Sequence, residues 1–157
     1  MTNLTNQPPA QSPKPKALAK KRRARRQYAT LAYRTAPELE VLLVSSRETG
    51  RWVIPKGWPM KGREPHAAAA LEAFEEAGVK GTISKTAIGT YNYDKRLSDG
   101  DVITCTVEVY PMLVEVELAQ WPEREQRTRQ WFSLNAAAEA VEEETLKALI
   151  GKFKPVN

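Results

Sequence analysis

The chain has 157 residues, 41% of them hydrophobic and 27% charged, enough for one domain with its own core and a tail. No stretch approaches the roughly 20 consecutive apolar residues that cross a bilayer. Cys105 is the single cysteine, which excludes an intramolecular disulfide and fits a reducing compartment. The net charge of +5 is lopsided: eight of the 24 basic residues lie between Lys14 and Arg26, with no acid before Glu38, and the other 16 face all 19 acids. The folded part is therefore mildly acidic, and its overall charge does not mark it as a nucleic-acid binder.

Residues 1–26 are rich in Pro, Gln, Asn, Lys and Arg. They carry too little apolar surface to offset the entropy of ordering, and are expected to form a disordered basic tail. Such a tail keeps the protein soluble, or tethers an anionic partner such as RNA or polyphosphate. No secretory-type apolar run stands at the N-terminus, and Pro8, Pro9, Pro13 and Pro15 interrupt the amphipathic helix of a transit peptide. The expected location is the cytoplasm, with no membrane partner.

The domain is expected over residues 27–157, with order beginning near Tyr28. Tyr28–Tyr33 has strand character, Thr35–Glu38 reads as a turn, and Leu39–Val44 is a short apolar run that suits a buried strand. After a turn at Glu48–Gly50, Trp52–Ile54 is a brief strand stopped by Pro55. The density of Pro and Gly from Pro55 to Pro65 predicts a loop without regular structure. A helix then runs from Pro65, tolerated in a first turn, through four alanines to Ala77, and Gly78 ends it. Strands are expected over 82–93 and 102–117, joined by the turn Ser98–Asp101. A short strand at Arg129–Phe132 and a helix from Asn135 to Ile150, broken near Glu142, complete an α/β sandwich in which antiparallel hairpins mix with helices.

The residues with chemistry to explain lie between Gly57 and Val79. On a helical wheel of about 100° per residue, Glu72, Glu75 and Glu76 share a sector about 100° wide, while Ala67, Ala70, Leu71 and Phe74 gather opposite as the expected buried face. Like charges at these spacings repel, the C-terminal end of the helix dipole disfavours two of them, and the interior of the helix holds no Lys or Arg. A divalent cation resolves the conflict, and hard oxygen donors suit Mg²⁺, Mn²⁺ or Ca²⁺ rather than zinc. The preceding Gly-rich loop, which leads into the helix N-terminus, brings Lys56, Lys61, Arg63 and backbone N–H groups as donors for phosphate oxygens. Metal carboxylates beside anion donors are what metal-assisted phosphoryl chemistry requires.

This segment resembles the box of the Nudix hydrolases: glycine, five residues, glutamate, seven residues, then Arg-Glu-apolar-x-Glu-Glu-x-Gly-apolar. Anchored on Gly57, the chain supplies Glu72, Ala73, Glu75, Glu76, Gly78 and Val79 at the matching places. It departs at two: Arg63 stands for the first box glutamate, with Glu64 one place later, and Leu71 for the box arginine. The resemblance implies a Nudix-type α/β/α sandwich with a mixed sheet over residues 28 to about 150. It also implies Glu72, Glu75 and Glu76 as metal ligands and catalytic carboxylates, and hydrolysis of a phosphoanhydride bond in a small phosphorylated substrate. The run RWVIPKGWPMKG looks like the diphosphoinositol polyphosphate and dinucleoside polyphosphate branch, with Arg47, Arg51, Lys56 and Gly57 as substrate-binding residues. The departures point to the alternative of a weakened domain that binds a nucleotide, and the tail to one that acts on RNA 5′-phosphates. Glu142–Glu144 read as a solvated helix start, His66 as an exposed residue of the first helical turn, and Cys105 as a core thiol. Trp121 and Trp131 read as packing residues.

Overall fold

A computed structural model describes residues 25–155. The tail expected over residues 1–26 therefore lies outside the described residues except for Arg25 and Arg26. Arg26 opens the first strand, two residues before the expected start of order. In chain order the elements are β1 (Arg26–Arg34), β2 (Glu40–Ser45), β3 (Trp52–Val53), β4 (Lys56–Gly57), α1 (Pro65–Ala77), β5 (Val79–Ile83), β6 (Gly89–Arg96), β7 (Val102–Glu117), β8 (Arg129–Ser133), α2 (Leu134–Ala140) and α3 (Glu144–Gly151). The sheet is mixed. It runs β3–β2–β1–β7–β5, with β4 on β1, β6 on β7 and β8 on β2. The β1–β7 pair is parallel, Ala29 facing Val109 and Tyr33 facing Leu113, and the remaining pairs are antiparallel.

Both faces of the sheet are covered, and the alternation of side chains along its strands decides what covers each. Leu31, Val41, Leu43, Val107 and Val109 point to one side and pack with Val141, Leu146, Ile150 and Phe153 of the C-terminal helical segment. Ala32, Leu42, Val44 and Met112 point to the other and pack with Ala73 and Ala77 of α1. The α/β/α sandwich expected from the resemblance is the observed architecture. Leu146 is 1% exposed, at the centre of the first layer. Leu146→Ala is expected to cost about 2–5 kcal/mol in transfer and cavity terms, read as a lower denaturant midpoint at an unchanged slope.

Four local expectations are corrected. The Pro/Gly-rich loop holds one regular piece, because Lys56 and Gly57 pair with Ala29 and Tyr28, and a ladder of two residues is too short to leave a periodic signature. The single strand expected over 82–93 is two, parted at residues 84–88. There the hydroxyl of Ser84 takes the N–H of Thr86, a turn built from a polar side chain. The buried face of α1 is not the bulky apolar arc. It comprises Ala68, Ala69, Ala73, Glu76 and Ala77, while Ala67, Ala70, Leu71 and Phe74 are half-buried. Alanines let the helix backbone approach the sheet closely enough for the Thr30 hydroxyl to bond the carbonyl of Ala69 at 2.7 Å. His66 is half-buried rather than exposed, its Nδ1 3.7 Å from Glu64.

Candidate active site

The rotation of α1 determines where its glutamates go. With alanines against the sheet, Glu72 and Glu76 fall on the seam between the helix and the β4 loop and line one wall of a cleft of about 580 Å³. Glu76 is 6% exposed and accepts the backbone N–H of Lys56 at 3.3 Å. The Glu72 carboxylate rests against Gly57, where any side chain would collide with it. Glu75 is half-buried and is not among the residues lining the cleft. Its carbonyl takes the N–H of Glu123 at 3.0 Å.

The C-terminal end of α1 is held by the β7–β8 loop. Gly78 adopts a left-handed conformation and its N–H closes the last turn on Phe74, which suits glycine. Trp121 donates its indole N–H to the carbonyl of Glu76. Arg129 donates to those of Ala77, Gly78 and Leu118 and lies 4.0 Å over the Trp121 ring. Carbonyls that a helix end leaves unpaired are thus bonded by a cation, which the dipole also favours. Trp131 packs under the guanidinium of Arg34 at 4.2 Å, so both tryptophans serve packing as expected.

Cationic groups share the cleft with the carboxylates. Arg47, Arg51, Lys56 and Gly57, the four expected substrate-binding residues, all line the cleft, along with Lys95, Arg96 and Arg127. The Lys56 ammonium sits 4.9 Å from the Tyr93 ring, and Tyr93 is anchored by its hydroxyl to Gln27 at 2.7 Å. Arg47 is exposed and bonds Gln126. Arg51 is held by Glu143 at 3.0 Å, leaving its Nη1 buried and unpartnered in the wall. Glu143 is therefore not part of a solvated helix start. Its side chain is 10% exposed because it neutralises an arginine that the fold brings under the helix from far away in sequence. Cys105 is a buried free thiol, as expected.

Sequence reasoning missed Glu123 and Arg127, which also line the cleft. Both sit in the charged loop after β7, whose acids and bases alternate like any solvated surface. Only the tertiary fold turns Glu123 and Arg127 inward.

Burial makes the carboxyl pair hard to ionise. Glu72 is pushed up to about 8, chiefly by desolvation and then by the charge and hydrogen bond of Glu76. Glu76 is raised too, burial outweighing Arg127 and Lys56. The Lys56 ammonium is lowered, again mainly by burial. A carboxyl that holds its proton more tightly folded than unfolded contributes stability at low pH and loses it as the pH rises through the folded value. The metal-free protein is therefore expected to melt at falling temperatures between about pH 4.5 and about pH 8, with Mg²⁺ restoring the high-pH loss. Thermal melts in chelator and in Mg²⁺ check this, and coincident profiles would contradict it.

Among the described residues, no three acidic, histidine or cysteine side chains converge closely enough to form a complete ligand set. The pair still fits a hard cation: two adjoining carboxylates, both raised by burial, with Glu123 elsewhere in the lining of the same cleft. Mg²⁺ is commonly held by one or two carboxylates while keeping several waters.

A family model described as NUDIX domain matches residues 25–152. Among curated proteins, "Nudix hydrolase 16, mitochondrial" of Arabidopsis thaliana is 34% identical over 119 residues, 73% of this chain and 66% of that protein. "Diphosphoinositol polyphosphate phosphohydrolase 3-beta" of Bos taurus is 35% identical over 119 residues, 73% of this chain and 67% of that one. The chain spans about three-fifths of the length of further plant relatives, 59% and 60% for two of them. Of solved structures, a Caenorhabditis elegans Ap4A hydrolase binary complex superposes with a TM-score of 0.61 at 21% identity, over 82% of this chain and 94% of that one. The NUDIX domain of Shewanella oneidensis NrtR complexed with ADP ribose gives 0.60 at 16% identity, over 80% and 83%. At those identities the superpositions establish the fold alone.

Proposed function

The chain belongs to the Nudix family, and on that premise we propose that it is a Mg²⁺-dependent pyrophosphohydrolase. It cuts a phosphoanhydride bond in a substrate of the nucleoside-diphosphate-linked or diphosphoinositol type. The observation that carries the proposal is the adjoining Glu72–Glu76 pair lining one cleft together with Arg47, Arg51, Lys56 and Arg127. Relatives named as diphosphoinositol polyphosphate phosphohydrolases support the substrate class.

In this reading Glu72 and Glu76 supply carboxylates from the cleft wall, Glu75 joins them from the same helix by turning toward the cleft, and Mn²⁺ can replace Mg²⁺. When bound, the metal polarises a phosphoryl oxygen and lowers the pKa of an attacking water. Lys56, Arg51 and Arg47 draw the anionic substrate in and set its place along the cleft. Lys56, fixed over Tyr93, offsets negative charge that builds on the transferred group. Glu123 lines the same cleft and adds negative charge toward the pair.

The basic composition of residues 1–26 supports a segment that keeps the chain soluble or tethers an anionic partner, ahead of a domain read over 27–157. The cytoplasm is the compartment that a single free cysteine favours, although several plant relatives are named mitochondrial or chloroplastic. A second reading, a domain that binds a nucleotide without turnover, draws on Arg63 and Leu71 at the two departures from the box.

A product-mass assay in Mg²⁺ tests the proposal with a panel of dinucleoside polyphosphates, diphosphoinositol polyphosphates, ADP-ribose, nucleoside triphosphates and 5′-triphosphate RNA. Turnover of one class names the substrate. Saturable binding without product across the panel selects the second reading.

A further inference from the structure

We infer that Arg127 is a positioning residue that assembles the carboxylates of this site from outside their helix. The inference rests on the hydrolase reading above. Helix α1 carries two clustered carboxylates at the cleft and no lysine or arginine of its own, so the compensating charge has to arrive from another element. Leu71, apolar and half-buried, stands where the box has arginine. The side chain of Arg127 is 9% exposed, and its guanidinium reaches three groups at once. Nε donates to Glu123 at 2.7 Å, Nη1 donates to the carbonyl of Ser45 at 3.0 Å, and Nη2 lies 3.7 Å from Glu76.

The backbone behind this fork is fastened on both sides. Ser45 donates its N–H to the carbonyl of Thr128, and the Thr128 N–H donates to the Ser45 hydroxyl. Glu123 is tied by its own N–H to the carbonyl of Glu75. The arginine therefore has little freedom, and its planar fork sets the separation between Glu123, supplied by the loop, and Glu76, supplied by the helix. Lysine, a point charge without the fork, cannot bond the three partners in that geometry.

Partners that orient metal ligands typically change metal affinity or activity by about 10- to 100-fold when removed. The test compares wild type with Arg127→Met, Arg127→Lys and Glu123→Gln. Mn²⁺ affinity is measured by paramagnetic titration without substrate, and kcat and KM on whichever panel substrate is turned over. Arg127→Met is expected to weaken Mn²⁺ and lower kcat, each by about tenfold or more, with KM changed far less. Arg127→Lys falls between it and wild type. Adding Glu123→Gln to Arg127→Met should cost little more, because both variants break one interaction.

Unchanged Mn²⁺ affinity, or a loss confined to KM, would overturn the inference and make Arg127 a substrate contact. If Arg127→Met does not fold, Arg127→Lys and Glu123→Gln carry the same comparison. Wild type that neither binds Mn²⁺ nor turns over any substrate would remove the hydrolase reading itself. Wild type that does both, with variants equal to it, removes only the inference.

Discussion

Replacing Glu76 with glutamine is expected to lower kcat on the order of a hundredfold or more while leaving the melting temperature close to that of wild type. Glu76 is 6% exposed, so its charge is held in place by what surrounds it. Glutamine has nearly the same volume and keeps an acceptor oxygen for the N–H of Lys56. Arg127 keeps its shorter bond to Glu123. The substitution removes a buried carboxyl whose ionisation burial already opposes, and Lys56 and Arg127 keep the charges of Glu143 and Glu123, so the fold loses little. The negative charge on which a divalent cation depends is lost. Steady-state kinetics in Mg²⁺ with parallel thermal melts check both halves. Full turnover by the variant would remove Glu76 from the reaction.

Gly57→Ala is expected to act on the same pair through its contact with Glu72, cutting kcat/KM on the order of a hundredfold, which is what a displacement of about 1 Å can cost. The added methyl group would occupy the space filled by the Glu72 carboxylate. The obstacle is the free end of a flexible side chain, so the carboxylate swings aside and the backbone keeps its pairing with Tyr28. The expected signature is a folded, thermally stable enzyme with weak metal binding. A variant with normal metal affinity and turnover would show that Glu72 can act from elsewhere in the cleft.

Much of this was legible in the sequence, and what was missed shares a cause. The bounds of α1 are written locally, in a proline at its start and a left-handed glycine after its end. So is the break between α2 and α3, where Val141–Glu143 leave the helix. The strands facing two apolar layers, such as Leu39–Val44, show as continuous apolar runs because neither side meets water. The rotation of α1 was misread because a wheel weighs bulk, whereas the helix docks through alanines and buries Glu76. The pairing of Lys56–Gly57 with β1, the Arg51–Glu143 ion pair and the inward turn of Glu123 and Arg127 have no local signal. Each joins residues far apart in sequence, and a charged loop reads the same whether its side chains face solvent or a cleft.

The central claim, that water attacks phosphorus at the Glu72–Glu76 pair, is tested most directly by running the panel in water labelled with heavy oxygen and weighing the products of wild type and Glu76→Gln. The account predicts Mg²⁺-dependent cleavage by wild type, with one labelled oxygen in a phosphate-bearing product and almost none from the variant. Label in a product without phosphorus, or equal label from the variant, would contradict it.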